Sequence, residues 1–206
     1  MNTKNEAHGF EASSLNEVIA ERDEMFTGTH SHYFEVGRSA MASIHVALQL
    51  AGRKTCETIL DLPCGHGRVM RHLRAAFPGA RITACDVNQD GVDFCAKTFG
   101  ANGVHSKKKI QEVVLPESFD LIWCGSLLTH LEKPLWGQFL SFFSKRLTEN
   151  GVLLFTTHGR CLRNGSARER THMASIWTAF LSCWRATRAP ALPMRPIREA
   201  PTTGSR

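Results

Sequence analysis

The chain has no apolar run that could cross a bilayer. "GVLLF" at 151–155 is typical of its longest, against the roughly 20 residues a spanning helix needs. Its first residues, "MNTKNEAHGFEASS", lack both a basic region and an apolar one, so no secretory signal is read and a cytoplasmic location is the expectation. Cys-x-x-Cys does not occur. The seven cysteines (Cys56, Cys64, Cys85, Cys95, Cys124, Cys161 and Cys183) are odd in number and scattered. A disulfide framework or a zinc site has little support from such spacing. Cys64-x-His66 has no second ligand pair to complete a tetrahedral set, so no metal is expected. Tyrosine is nearly absent, with Tyr33 the single one, and lysine is absent after residue 159.

That last absence explains the charge. Residues 1–159 hold 16 Lys+Arg against 17 Asp+Glu, and residues 160–206 hold 9 against 2, which together make the formal +6. The basicity is confined to the end of the chain, and no recognised nucleic-acid module accompanies it. No nucleic-acid partner is expected. Apolar content of 42% over 206 residues is enough for one domain with a sizeable core.

The pattern along the chain divides it into three parts. Residues 1–30 read as an N-terminal helical extension. Ser14 and Glu17 are spaced as a capping box, with Leu15, Val18, Ile19 and Met25 at helical intervals. A second helix is expected over 36–51, its inner face Val36, Ala40, Ile44, Ala47, Leu48 and Ala51, stopped by Gly52. From there the rhythm alternates. Strands are read at 58–62, 81–86, 103–106, 119–124 and from Gly151, and helices at 67–77, 90–99 and from Pro134, with Leu147 on the last one's inner face. The expected fold is α/β, a doubly wound, mostly parallel Rossmann-like sheet with N-terminal helices. Residues 160–206 read differently: nine arginines, four of the eight prolines, and one apolar stripe over about 172–187 (Met173, Ile176, Trp177, Phe180, Leu181, Trp184). The remainder reads as a disordered tail.

In an open parallel sheet, ligands bind beyond the carboxyl ends of the strands. "TILDLPCGHGR" lies at such an end. Gly65 and Gly67 allow a tight bend and a close approach by ligand, and the following helix favours an anionic group. Asp61 adds a carboxylate beside it. A ligand satisfying both carries an ammonium and a carboxylate close together, as an amino acid does. Asp86 ends the next strand, 21 residues beyond Gly65, where an acid accepts from both hydroxyls of a ribose. An amino-acid moiety joined to a nucleoside describes S-adenosylmethionine.

At these residues the chain resembles the class I S-adenosylmethionine-dependent methyltransferases, over about 31–159. "ILDLPCGHGR" is similar to the family's first motif and "ITACDVN" to its ribose-holding strand end. "FDLIWCGSLLTHL" and "RLTENGVLLFTTHG" resemble its fourth-strand and fifth-strand regions. The resemblance implies that Asp61, Pro63, Cys64, Gly65 and Gly67 cradle the methionine end, that Asp86 holds the ribose and that Val87 lies beside the adenine. It further implies Ser106, Cys124 and Gly125 at the cofactor's edge, with Tyr33 and Gly37 contributed by the segment that caps it. His130 and His158 are the candidate bases for a hydroxyl or amine acceptor. The expected activity is direct in-line methyl transfer to an oxygen or nitrogen of a small-molecule or glycan-like acceptor.

Three features depart from the family. Pro63 stands where the first loop glycine is usual, and "HSKKK" replaces the usual acidic or polar residue after the third strand. The antiparallel sixth and seventh strands are not evident after Thr157. The change of composition near residue 160 reads as a shifted reading frame, and a cofactor-binding remnant without turnover is the competing expectation. An NAD-dependent oxidoreductase fits less well, because the third position of a Gly-x-Gly-x-x-Gly fingerprint is Met70.

Overall fold

The computed structural model of the protein describes residues 15–157. Helix α1 (His30–Leu50) leads into β1 (Thr58–Asp61), α2 (Met70–Ala76), β2 (Arg81–Asp86) and α3 (Gln89–Phe99). β3 (Asn102–His105), β4 (Phe119–Cys124), α4 (Lys133–Ser144) and β5 (Leu147–Phe155) follow. The five strands form one sheet in the order β3-β2-β1-β4-β5, and every neighbouring pair is parallel. All carboxyl ends therefore open on the same edge, with the order reversing between β1 and β4. None of the described helices is long and apolar enough to cross a membrane.

Alternation along the strands sorts side chains into two cores. Ile59, Ile82, Ala84, Leu121, Trp123, Val152 and Leu154 face α1, α2 and α3. Leu60, Cys85, Ile122, Cys124, Leu153 and Phe155 face α4 and the segment around Ile110. With both faces covered, β4 is buried at all six positions, which is why its sequence is nearly continuous in apolar residues. On α1, Ile44 is fully buried; truncation to alanine would cost about 2–5 kcal/mol. Helix α3 is bounded as its sequence demands. The Asn88 side chain accepts from the Gly91 amide, and Gly100 closes the helix at φ 62°, a left-handed conformation that glycine adopts freely.

Several boundaries differ from the sequence reading. Residues 15–29 form turns rather than the expected amphipathic helix, and α1 begins at His30 instead of near residue 36. The physical reason lies in tertiary partners: the Asn16 and Val18 carbonyls accept from the Arg71 side chain instead of from amides one turn on. α2 starts at Met70, since the loop turns twice before a helix can begin. α4 ends at Ser144, and Leu147, expected on that helix, opens β5. The extra length of β5 is accommodated by a register shift between Phe119 and Leu121. Residues 160–206, with the stripe at 172–187, lie outside the described residues.

Candidate functional site

The loop from Leu62 to Val69 leaves β1 and bends back over the sheet's carboxyl edge. The Leu62 amide donates to the Trp123 carbonyl at 3.0 Å and the Cys64 amide to the Cys85 carbonyl at 3.1 Å. Both β4 and β2 thus hold the bend. Gly65 and Gly67 sit at φ +50° and +79°, in the region where side chains are strained. Space excludes them as well at Gly67, where a Cβ would lie 2.4 Å from the Phe99 ring. Gly91 on α3 passes so close beneath the loop that its Cβ would meet the Gly65 carbonyl oxygen at 2.4 Å.

Asp61 is 1% exposed, and its Oδ2 has no hydrogen-bond partner. A buried polar atom left this way costs about 1–3 kcal/mol. Burial, and then the neighbouring Asp86 charge, hold its pKa well above the ordinary carboxylate range. Asp86 is differently placed. Its Oδ2 accepts from the Gly65 amide at 2.8 Å and its Oδ1 from the Asn88 amide at 3.0 Å. Each oxygen keeps a further lone pair, so the carboxylate orients the loop and retains the capacity to accept two hydroxyls. Val87 beside it is 69% exposed, an apolar side chain standing in solvent next to the strand end. Ser106 reaches the same place through its backbone, its amide donating to the Asp86 carbonyl at 2.7 Å.

The other expected site residues divide. Pro63, Gly65 and Gly67 are in the loop, and Gly125 follows β4, packed against Trp123. Cys64 and Cys124 are buried in the two cores, so they offer backbone, not thiol, to the carboxyl edge. The Cys64 sulfur is turned to the Gly65 carbonyl at 3.4 Å, as is that of Cys95 at 3.6 Å. Two residues differ from expectation. Tyr33 is 1% exposed, its hydroxyl donating to Asp23 and accepting from Arg71 at 3.3 Å. Gly37 packs α1 against α2, where a Cβ would overlap the His72 ring at 2.1 Å. Both are interior contacts between elements rather than open cofactor contacts. His130 is exposed at the end of a short 3₁₀ turn; His158 lies outside the described residues.

Structure adds two residues that the pattern did not single out, Arg68 and Ser126, and gives His66 its partners. Arg68, near the end of the loop, makes no side-chain hydrogen bond or ion pair among the described residues, and its guanidinium stands 6.0 Å from the centre of the Tyr33 ring. Burial lowers its pKa. Ser126, two residues past β4, holds φ 61° because its amide donates to Thr156 and its carbonyl accepts from Thr129, both at 2.6 Å. His66 lies between two acids, with Nε2 at 3.1 Å from Asp90 and Nδ1 at 3.9 Å from Asp23. The proximity of Arg68 and His66 to the loop was visible in sequence; their partners, far along the chain, were not.

Residues 60–153 match a family model described as a methyltransferase domain. The chain is 32% identical over 104 residues to a malonyl-[acyl-carrier protein] O-methyltransferase of Anoxybacillus flavithermus, covering 50% of this chain and 39% of that protein. It is 28% identical over 110 residues to a mitochondrial ubiquinone biosynthesis O-methyltransferase of Schizosaccharomyces pombe, again 50% and 39%. The chain thus spans about two fifths of the length of these relatives. Among solved structures, the plantazolicin methyltransferase BpumL aligns with a TM-score of 0.53 at 20% identity, covering 68% of this chain and 57% of that one. An S-adenosylmethionine-dependent methyltransferase from Clostridium acetobutylicum aligns with 0.50 at 20%, covering 59% and 50%. These two likenesses concern the fold. The family match falls on β1 through β5 and the acid-bearing loop between them, and over these residues the chain is similar to a methyltransferase domain.

Proposed function

We propose that the protein binds S-adenosylmethionine at the carboxyl edge of β1 and β2 and transfers its methyl group to an oxygen or nitrogen of a small-molecule or glycan-like acceptor. One observation carries the reading: Asp61, a buried carboxylate with an orphaned oxygen, beside a glycine bend and 1:1 in register with the strand that ends at Asp86. An ammonium delivered to Asp61 satisfies the orphan and neutralises its charge. Arg68, a half-buried cation that forms no ion pair within 4 Å among the described residues, suits the carboxylate of the same amino-acid moiety. Asp86 accepts the ribose hydroxyls on its remaining lone pairs, and the exposed Val87 offers apolar surface to the base.

The cofactor, when bound, supplies an electrophilic methyl group on sulfur. The chain's part is then alignment and exclusion of water, with His130 or His158 receiving a proton where the acceptor is a hydroxyl or amine. The matched relatives carry O-methyltransferase in their names, which favours oxygen as the acceptor atom.

Calorimetric titration with S-adenosylhomocysteine tests the site. The expected result is a micromolar binding heat that Asp86→Ala abolishes, since that change removes both the ribose acceptor and the tether on Gly65. No heat with wild-type protein, or tighter binding of NADH, refutes the reading. Binding with no transfer of labelled methyl to any hydroxyl, carboxylate or amine acceptor would identify a cofactor-binding remnant.

A further inference from the structure

Arg71 is 1% exposed, and an arginine is seldom buried without a reason beyond packing. Four of its five guanidinium N–H groups donate to partners. Nε donates to the Gly67 carbonyl at 3.2 Å, which also accepts the Arg71 main-chain amide. Nη1 donates to the carbonyls of Asn16 and Val18, each at 2.9 Å. Nη2 donates to the Tyr33 hydroxyl at 3.3 Å. Its Cζ lies 5.2 Å from the ring centres of Tyr33 and Phe99 and 5.4 Å from that of Phe34. Phe99 is the ring that closes against Gly67.

Among the described residues, no acid touches this charge directly. The nearest link is Asp23, which accepts from the Tyr33 hydroxyl. The other oxygen of Asp23 accepts from the Met25 amide at 2.9 Å and faces His66 of the glycine loop. The irregular segment 15–29 is therefore fastened at two points, Asn16–Val18 and Asp23. The first runs through Arg71 to the loop, with the Asn16 side chain also donating to the Thr98 carbonyl at 3.4 Å, and the second runs through Tyr33 to Arg71 and faces His66 of the loop directly. A purely structural pin would need one end on the segment and the other anywhere in the core. Here the other end is the last glycine of the cofactor bend.

We propose that Arg71 is a positioning residue that couples docking of residues 15–29 to the conformation of the 65–67 bend, so that cofactor binding and segment closure strengthen one another. The proposal rests on the cofactor reading above. Reciprocity follows from linkage: whatever tightens the bend for the ligand holds the segment, and by the same factor.

The test pairs S-adenosylhomocysteine titration with amide hydrogen exchange across residues 16–26, on wild-type protein, Arg71→Lys and Tyr33→Phe. In wild type, bound ligand slows exchange of the segment by roughly fivefold or more, the lower end of ordinary site-to-site coupling. Tyr33→Phe keeps the ring but cuts the Asp23–Arg71 link. It is expected to raise the ligand Kd by a similar factor and to lose the ligand-dependent protection. Arg71→Lys does the same or more, and if it fails to fold, Tyr33→Phe decides alone. Variants whose segment exchanges faster while ligand affinity stays at the wild-type value overturn the proposal and leave a structural pin. So does wild-type protein that binds ligand with no change in segment exchange. Wild-type protein that binds no ligand overturns the cofactor reading along with this one.

Discussion

Replacing Asp61 by asparagine should make the ligand-free protein more stable while destroying the site. Asp61 is buried, its Oδ2 is orphaned, and burial followed by the Asp86 charge displaces its pKa well upward. In the unfolded chain the group ionises near pH 3.9. Between that value and the folded pKa, the folded state holds a proton that the unfolded state has released. Stability from this group is therefore fully present below about pH 3.9 and is lost as pH rises to the folded pKa. Asparagine cannot ionise, so Asp61→Asn is expected to raise Tm at pH 7.5 and to leave it nearly unchanged at pH 4, with each kcal/mol recovered worth about 2–4 °C for a domain of this size. With S-adenosylhomocysteine at about a hundred times its Kd, wild type gains about 2.7 kcal/mol and the variant gains none, so the ligand raises only the wild-type melting point. Thermal unfolding at pH 4, 6 and 7.5, with and without the ligand, reads both effects. A ligand-free variant less stable than wild type at pH 7.5 would refute the electrostatic argument. An equal ligand-induced shift in both proteins would refute the assignment of Asp61 to the amino-acid end.

Two further outcomes test the surroundings. Gly91→Ala drives a Cβ to within 2.4 Å of the Gly65 carbonyl oxygen, a backbone atom that cannot rotate away. It should cost about 1–3 kcal/mol in denaturant unfolding and weaken S-adenosylhomocysteine binding about tenfold or more, equivalent to about 1.4 kcal/mol; wild-type affinity would mean that the bend does not hold the ligand. At the opposite edge of the sheet, Asp120 accepts from the Glu57 and Thr58 amides and the Thr148 hydroxyl and pairs with Arg53 at 2.7 Å. Burial alone would raise its pKa, but these partners hold it below the usual value. Its contribution is present above about pH 3.9 and lost as pH falls through the lower folded value. Asp120→Asn should therefore cost about 2 kcal/mol at pH 7, with the gap to wild type narrowing in acid; a gap independent of pH would show that charge is not the cause.

What could be read in the one-dimensional pattern, and what could not, follows from the range of the interactions involved. The alternation of apolar runs with helical periods sufficed for the five strands and the parallel sheet, because a strand buried on both faces must be apolar throughout, as "FDLIWC" is. Asp61, Gly65, Gly67 and Asp86 were legible as a candidate site for a related reason: a bend with positive φ needs glycine, and a carboxylate ending a buried strand has no packing purpose. The segment 15–29 was misread because its periodicity is local, whereas its carbonyls are claimed by Arg71, more than fifty positions later.

Spacing likewise could not say whether Tyr33 faces ligand or interior, since that depends on Asp23 and Arg71 meeting at its hydroxyl. Nor could it show that Asp86 spends part of its capacity on the loop itself. The sequence by itself determined which backbone shapes and which buried charges the chain can carry, because those are properties of single residues and their near neighbours. Only the tertiary structure decided which of those charges meets a partner and which is left waiting for one, because partnership is a matter of three-dimensional packing between distant elements.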